Sequence, residues 1–542
     1  MLLSSLKNYD KSQFVKDVTA GIIVAIIALP LSIALALASG VGPEAGIFTA
    51  IVAGFVISAL GGSSVQIAGP TAAFATIVAG IVAHDGMDGL IVATILAGIF
   101  LILMGLCHFG SLIKFIPFTI TTGFTSGIAV TIVIGQLKDF FGLTFPTGVK
   151  PIETVEKFEA VINNFSTINM DAVIVGVVSL AILIIAPYIF KRIPGSLLAV
   201  IAGILMVQFL PLKVNTIGNL YTISNALPTL HFPSLSLNRI QNALPNALTI
   251  AVLAAIESLL SCVVADGMIN GKHRSDMELV AQGAGNIASA LFGGIPATGA
   301  IARTAANIKN GGRTPIAGMV HSITLVIVLV VLMPYAGMIP MPTIAAILFI
   351  VAYNMCQWRT FVNLVKTAPK SDIIVLVTSF VLTVIFDLVV AIEVGMVLAC
   401  LLFIKRMSEE TKVNGWTYVD DDTPDVDEHL QKLPLQIRVY EISGPLFFGA
   451  AGVIEEIAVK DFTTCLVLRM RSVPALDSTA LNALKDLVQV CESKGITIVF
   501  SHVNDQPMKV MEKAGFIELV GEENFQPSIS AALDRAEEII HK

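Results

Sequence analysis

Apolar stretches, most of them long enough to cross a bilayer, alternate with short polar breaks through the first 405 residues. We place about fourteen crossings: near 18–37, 45–60, 69–84 (short), 89–107, 112–136, 171–189, 195–211, 246–268, 277–292, 299–309 (short), 315–333, 342–354, 372–387 and 388–405. The pattern changes after Met407. Residues 408–434 are polar and acidic. From 435 onward, period-two strands such as "LQIRVYEIS" and "ITIVFSHV" alternate with amphipathic helices ending at Gly495 and Gly515. The expected organisation is a membrane domain over 1–407, a linker over 408–434 and a soluble α/β domain over 435–542.

Composition agrees with that reading. Of 542 residues, 55% are hydrophobic and 13% charged, which is the balance of a polytopic membrane protein. The first apolar run follows a polar leader with Lys7, Lys11 and Lys16. Its cleavage-site candidate is weak, so an uncleaved first helix is expected. Alternate loops carry Lys114, Lys191, Lys272, Arg274, Lys309, Arg313, Arg359, Lys366 and Lys370. The short loops opposite carry no Lys or Arg. Basic loops mark the cytoplasm, and an even number of crossings places both termini there. The net charge is −7, without a basic tract, so nucleic acid is not an expected partner. The six cysteines form no CxxC pair and read as small buried hydrophobes in a reducing environment. Nothing resembles a nucleophile with an adjacent base, a P-loop or a metal-ligand spacing. The chain is therefore not expected to be an enzyme.

Two short crossings break the pattern at corresponding places in the two halves. "GGSSVQIAGPTAAFATIVAG" (Gly61–Gly80) and "GGIPATGAIARTAANIKNGG" (Gly293–Gly312) each run from paired glycines through a short extended piece into a helix, with Pro70 expected at the first helical position of the former. Interrupted segments at matching positions point to a transporter binding site. Helices that start in mid-membrane present unpartnered amides and the positive ends of their dipoles to one volume, which attracts an anion. Arg303 adds a full charge there, or offsets a nearby carboxylate. Glu257 lies at bilayer depth in "LTIAVLAAIESLLSCVVADGM", sharing a helical face with Ser261. Three readings stay open for it: a proton carrier, a fixed strut paired with Arg303, and a sodium ligand together with nearby hydroxyls. Asp266, with Lys272 and Arg274, reads as a solvated helix cap. His321 reads as a satisfied interior histidine and Asp387 as an interface residue. Phe124 and Phe349 read as packing. Phe74 reads as packing too, but it is also placed to wall a cavity.

With these residues in view, the chain resembles the SulP family of anion transporters over nearly its whole length. The likeness rests on "ALPLSIALALASGVGPEAGIFTA" (Ala28–Ala50), "GPTAAF" (Gly69–Phe74), "AIESLLSCVVADGM" (Ala255–Met268), "AQGAGN" (Ala281–Asn286) and "ATGAIARTAANIKNGGRTPIAG" (Ala297–Gly318). Its wording is most similar to that of the family's aerobic C4-dicarboxylate branch. The resemblance implies a polytopic α-helical fold of fourteen spans, in 7+7 inverted repeats with two half-helices. A core domain would move against a gate domain like an elevator in a bacterial inner membrane. It also implies a substrate site from Thr71, Ala72, Phe74, Ala300, Ile301, Ala302, Arg303 and Ser261, with Glu257 as the coupling residue. One departure stands out: many sulfate-carrying relatives have Gln after the first-span proline, whereas Pro30 here is followed by Leu31 and Ser32. "VPALDSTALNAL" (Val473–Leu484) resembles the STAS domain, in which Ser478 falls where anti-sigma-factor antagonists are phosphorylated. The bland reading is that Asp477 and Ser478 cap a helix. The family implies a homodimer and a regulatory protein partner at this domain.

The leading expectation is a proton-coupled symporter of a small anion such as succinate or fumarate, without a resident cofactor. Sulfate or sodium-coupled bicarbonate transport is the alternative within the family. An anion channel is the alternative of another class.

Overall fold

In a computed structural model, the structure describes residues 9–111, 116–146, 151–190, 194–233, 236–386, 388–416, 433–457 and 462–541. Lys114, Lys191 and Asp387 lie outside the described residues. The chain divides into two compact units, Met1–Met396 and Val397–Lys542.

Each crossing expected from the pattern has a helix in the structure, and among the described residues eight helices are long and apolar enough to span a membrane. Local chemistry sets several ends. Asp10 caps Lys11–Ala38 by accepting from the Gln13 amide at 2.7 Å. Pro43 and Pro315 each occupy a first turn, where a missing N–H costs nothing. Asn270 closes Leu237–Ile269 in the left-handed region. The expected crossings at 69–84 and 89–107 are two helices within Ala75–Leu106, separated by a kink at Gly86, whose backbone is non-helical (φ 69°, ψ −173°).

The helices sort into two bundles, each drawing on both halves of the sequence. In one, Ser275–Leu291 lies along Ala75–Leu106, and Pro315–Ala336 packs on Lys11–Ala38 and Pro43–Leu60. Small residues permit the approach: a Cβ at Gly283 would stand 2.4 Å from the Gly98 carbonyl, and one at Gly98 2.7 Å from that of Gly283. In the other, Phe118–Phe141 packs against Met341–Cys356 and Lys370–Ile385, with Met170–Ile189 and Gly195–Phe209 alongside. The ten-residue helix Trp358–Thr367 follows Met341–Cys356 after a turn at Gln357, which is left-handed (φ 45°).

The second unit holds a five-stranded sheet in the order β3 (Lys412–Trp416), β4 (Ile437–Ser443), β5 (Cys465–Ser472), β6 (Thr497–Ser501), β7 (Phe525–Gln526). The β3–β4 pair is antiparallel and the remaining pairs are parallel. β3 lies inside the segment expected to be linker. Its five residues "KVNGW" are too few and too polar to show as a strand, and its pairing with β4 creates it. Leu466, Leu468, Met470 and Phe500 form one core face; Cys465, Val467 and Val499 pack on Ala532, Leu533 and Ala536 on the other. Burial pushes the Cys465 thiol up to about 12 and the Cys491 thiol up to about 11, so both are held as inert thiols. The expectation of burial does not extend to Cys107 and Cys400, which are exposed.

Asp477 caps the helix Ser478–Ser493: one carboxylate oxygen accepts from the Ala480 amide at 2.9 Å and the other from the Phe448 amide at 2.8 Å. Ser478 is exposed at the first helical position, beside a groove lined by Gln506, Lys509 and Lys513.

Candidate functional site

The two interrupted segments meet. β1 (Ala68–Gly69) and β2 (Thr298–Gly299) pair antiparallel, Ala68 opposite Gly299 and Gly69 opposite Thr298, and the Ala300 amide extends the pairing by donating to the Ile67 carbonyl at 2.9 Å. A helix leaves each strand: a 3-10 turn over Ala72–Phe74 leads into Ala75–Leu106, and Ile301–Lys309 follows Ala300. Neither start has a side-chain cap. The first helix begins later than expected. Pro70 is not its first helical residue; its ring and carbonyl belong to the extended piece, with Thr71 as the N-cap.

Several buried polar side chains hold these backbones in place. Glu278 lies on Ser275–Leu291 and is fully buried. Its Oε2 accepts from the amides of Gly62 (2.8 Å) and Ser63 (3.1 Å), and its Oε1 from the side-chain amides of Gln66 (2.7 Å) and Gln282 (2.9 Å). Four donors satisfy this carboxylate without an ion-pair partner. Asn286 braces the second segment by accepting from the Ala297 amide and donating to its carbonyl, at 2.8 and 2.9 Å. The Ser258 hydroxyl accepts from the Gly299 amide at 3.1 Å.

Glu257 sits at the junction. Its Oε2 accepts from the hydroxyls of Thr71 (2.8 Å) and Thr298 (2.9 Å), one from each interrupted segment. Arg303 is the third residue of its helix and only 1% exposed. Its Nη2 donates to the Pro70 carbonyl (3.2 Å) and the Ser32 hydroxyl (3.4 Å), while Nε and Nη1 have no hydrogen-bond partner among protein atoms. Among the described residues no ion pair joins Arg303 to Glu257, so the fixed-strut reading does not hold. The two charges are instead held apart by the strand pair, each on its own set of neutral partners.

Glu257 and Arg303 are both among the residues lining a cavity of about 290 Å³, with Arg303 Nε and Nη1 buried behind its wall. Of the residues expected at the site, Thr71, Ala72, Glu257, Ala300, Ile301, Ala302 and Arg303 line it. Phe74 and Ser261 do not. Phe74 is fully buried in packing behind the 3-10 turn, and the Ser261 hydroxyl turns to Thr304 at 3.5 Å. Leu31 lines the cavity, and its neighbour Ser32 holds Arg303. The other bundle supplies Thr125, Asn354 and Gln357. Thr125 and Asn354 lie within helices and Gln357 at the turn after Met341–Cys356, and all three are neutral side chains that nothing in the sequence singles out. Thr298 was missed; the signal that could have found it is its place as the counterpart of Thr71, each hydroxyl preceding its helix by a residue or a few.

Nearby residues read from sequence fall out differently. His321 is fully buried, and neither ring nitrogen has a hydrogen-bond partner among the described residues. Asp266 does not cap its helix end, which Asn270 closes; its carboxylate accepts from the His273 amide (2.9 Å) and pairs with His273 Nδ1 (2.7 Å) in the segment that follows, rather than with Lys272 or Arg274.

Gly69 has a specific reason to be glycine: a Cβ there would stand 2.4 Å from Arg303 Nη1. Gly69→Ala is expected to displace the guanidinium and weaken anion binding severalfold, while expression and thermal stability change little. Binding measured on detergent-solubilised protein checks this, and parental affinity would contradict it.

Residues 14–379 match the sulfate permease family and residues 431–532 the STAS domain. The chain is 38% identical to a Bacillus subtilis protein named "Putative sulfate transporter YvdB", over 96% of this chain and 97% of that one. It is 31% identical to the bicarbonate transporter BicA of Picosynechococcus, over 96% and 94%. Among solved structures, the murine Slc26a9 anion transporter matches in fold with a TM-score of 0.89, at 19% identity, covering 99% of this chain and 93% of that one. The transmembrane domain of a cyanobacterial BicA matches with a TM-score of 0.63 at 28% identity, covering 72% and 98%. The names of these relatives carry sulfate and bicarbonate rather than the dicarboxylate suggested by the motif wording. With interrupted helices crossing at a charged cavity and a C-terminal STAS domain, this chain belongs to the sulfate permease (SulP) family of anion transporters.

Proposed function

We propose that the protein is a cation-coupled secondary transporter of a compact inorganic oxyanion, of the sulfate and bicarbonate class, with the proton as coupling ion. The observation that carries this is the make-up of the cavity. Two helix starts and Arg303 line it, and Glu257 is the one carboxylate among the described lining residues. Opposed helix N-termini favour a single compact centre of negative charge. A C4-dicarboxylate would bring a second carboxylate, for which the described lining residues hold no second cation. Glu257, tied to both segments by hydroxyls, is placed to take a cation on the same wall that receives the anion. Cation and anion then cross together with reduced net charge, which lowers the cost of carrying the site through the bilayer.

Movement of the bundle holding β1 and β2 against the other bundle is the proposed elevator step. We further propose a bacterial inner-membrane location with both termini cytoplasmic, and a homodimer.

The test is uptake by proteoliposomes of labelled sulfate, bicarbonate and succinate, under imposed proton and sodium gradients in turn. Saturable uptake of sulfate or bicarbonate driven by acid outside supports the proposal. Succinate uptake alone restores the dicarboxylate reading, and response to sodium alone reassigns the coupling ion. Steady current without saturation indicates a channel.

A further inference from the structure

The helix Trp358–Thr367 has no buried residue, although it connects two apolar helices of the membrane unit, Met341–Cys356 and Lys370–Ile385. Its inner side is accounted for: Phe361 meets Phe380 edge to face, with ring centroids 5.4 Å apart. Its outer side is not. Trp358, Val362 and Val365 recur at i, i+4 and i+7, so they share one stripe, and they are 46%, 39% and 40% exposed. Arg359 and Lys366, also seven apart, flank that stripe, and Lys370 follows at the next helix start. From Trp358 to Lys370 there are three cations and no acid; the next carboxylate is Asp372.

Each feature points to the same occupant. A short helix with an apolar stripe and a basic flank lies in the plane of a bilayer interface. Its two neighbours enter the membrane, so the bilayer surface is within reach at both ends. Tryptophan favours the headgroup level, and Arg359 stands 5.6 Å from the Trp358 ring centroid, with its charge over the edge of the stripe. Clustered cations without an acid are complementary to anionic headgroups.

We propose that Trp358–Thr367 is a docking surface for anionic phospholipids of the adjacent leaflet: Trp358, Val362 and Val365 enter the acyl boundary while Arg359, Lys366 and Lys370 hold the headgroups.

The chain has two tryptophans, so full-length Trp416→Phe leaves Trp358 as the sole emitter. This protein is reconstituted into mixed phosphatidylcholine and phosphatidylglycerol vesicles, with bromine on the acyl chains of one lipid or the other in turn. Brominated phosphatidylglycerol is expected to quench Trp358 more strongly than brominated phosphatidylcholine at equal mole fraction. The preference should fall on the order of fivefold for each cation removed. In the triple variant R359Q/K366Q/K370Q it should vanish, whereas Arg359→Lys retains it. High salt should weaken it, since the charges are exposed. Equal quenching by the two lipids in the parental sequence, or none by either, overturns the proposal without recourse to any variant. A preference unchanged in the triple variant overturns the assignment of these three cations.

Discussion

In Glu257→Gln, accumulation of labelled anion under an acid-outside gradient is expected to fall to an inside-to-outside ratio of about one at zero membrane potential, because the coupling between cation and anion is lost. Exchange of labelled for unlabelled anion should persist. The substitution keeps the side chain's size and an oxygen to accept the Thr71 and Thr298 hydroxyls, so the strand junction survives while the titrating group does not. Glutamine thus separates the two jobs of this residue, fastening the interrupted segments and carrying a cation. Parental accumulation by the glutamine form would remove Glu257 from coupling. Loss of exchange as well would show that the carboxylate itself, rather than its hydrogen bonds, maintains the junction.

Arg303→Ala is expected to weaken anion binding on the order of a hundredfold, the range found when one member of a buried charge pair is truncated. Its effect on folding should be small by comparison. Two of the three guanidinium nitrogens make no hydrogen bond to protein, and the third makes only long ones, at 3.2 and 3.4 Å. A buried cation so weakly held contributes little to the fold and much to the local potential. Isothermal titration with the transported anion, alongside a thermal-shift measurement, checks both halves of the expectation. Unchanged affinity would place the anion elsewhere, and a melting temperature that collapsed while affinity held would make Arg303 structural.

Much of this arrangement was legible in the sequence because charge is rare in it. An arginine among Gly, Ala and Thr, and a glutamate within a mostly apolar span, stand out wherever the lipid sets the rules. The paired glycines and prolines likewise betrayed both interruptions. What stayed hidden was neutral or shared. Thr298, Asn354 and Gln357 have side chains that also serve ordinary packing and capping; only the bond to Glu257 gives Thr298 a role, and only their position around the cavity gives one to Asn354 and Gln357. Glu278 was missed for a different reason. It falls early in an amphipathic helix, among Asp276 and Arg274, and looks like an end-of-helix charge until four donors from two segments are seen to converge on it. The reading of Pro70 as the helix start failed because the strand pair with β2, a contact across the two halves, claims the residues beside it.

The pairing of Ala68–Gly69 with Thr298–Gly299 has a bearing on synthesis as well. Its members are separated by roughly 230 residues, which a ribosome takes about ten to fifty seconds to translate. Over that interval the extended piece of the amino-terminal half lacks its partner strand, so its backbone polar groups have to be met by water or other protein rather than lipid. Neither half can complete the junction by itself. The finished cavity therefore appears only when the later half arrives and seals both at once, making the last membrane-inserted repeat the step that commits the chain to its native form.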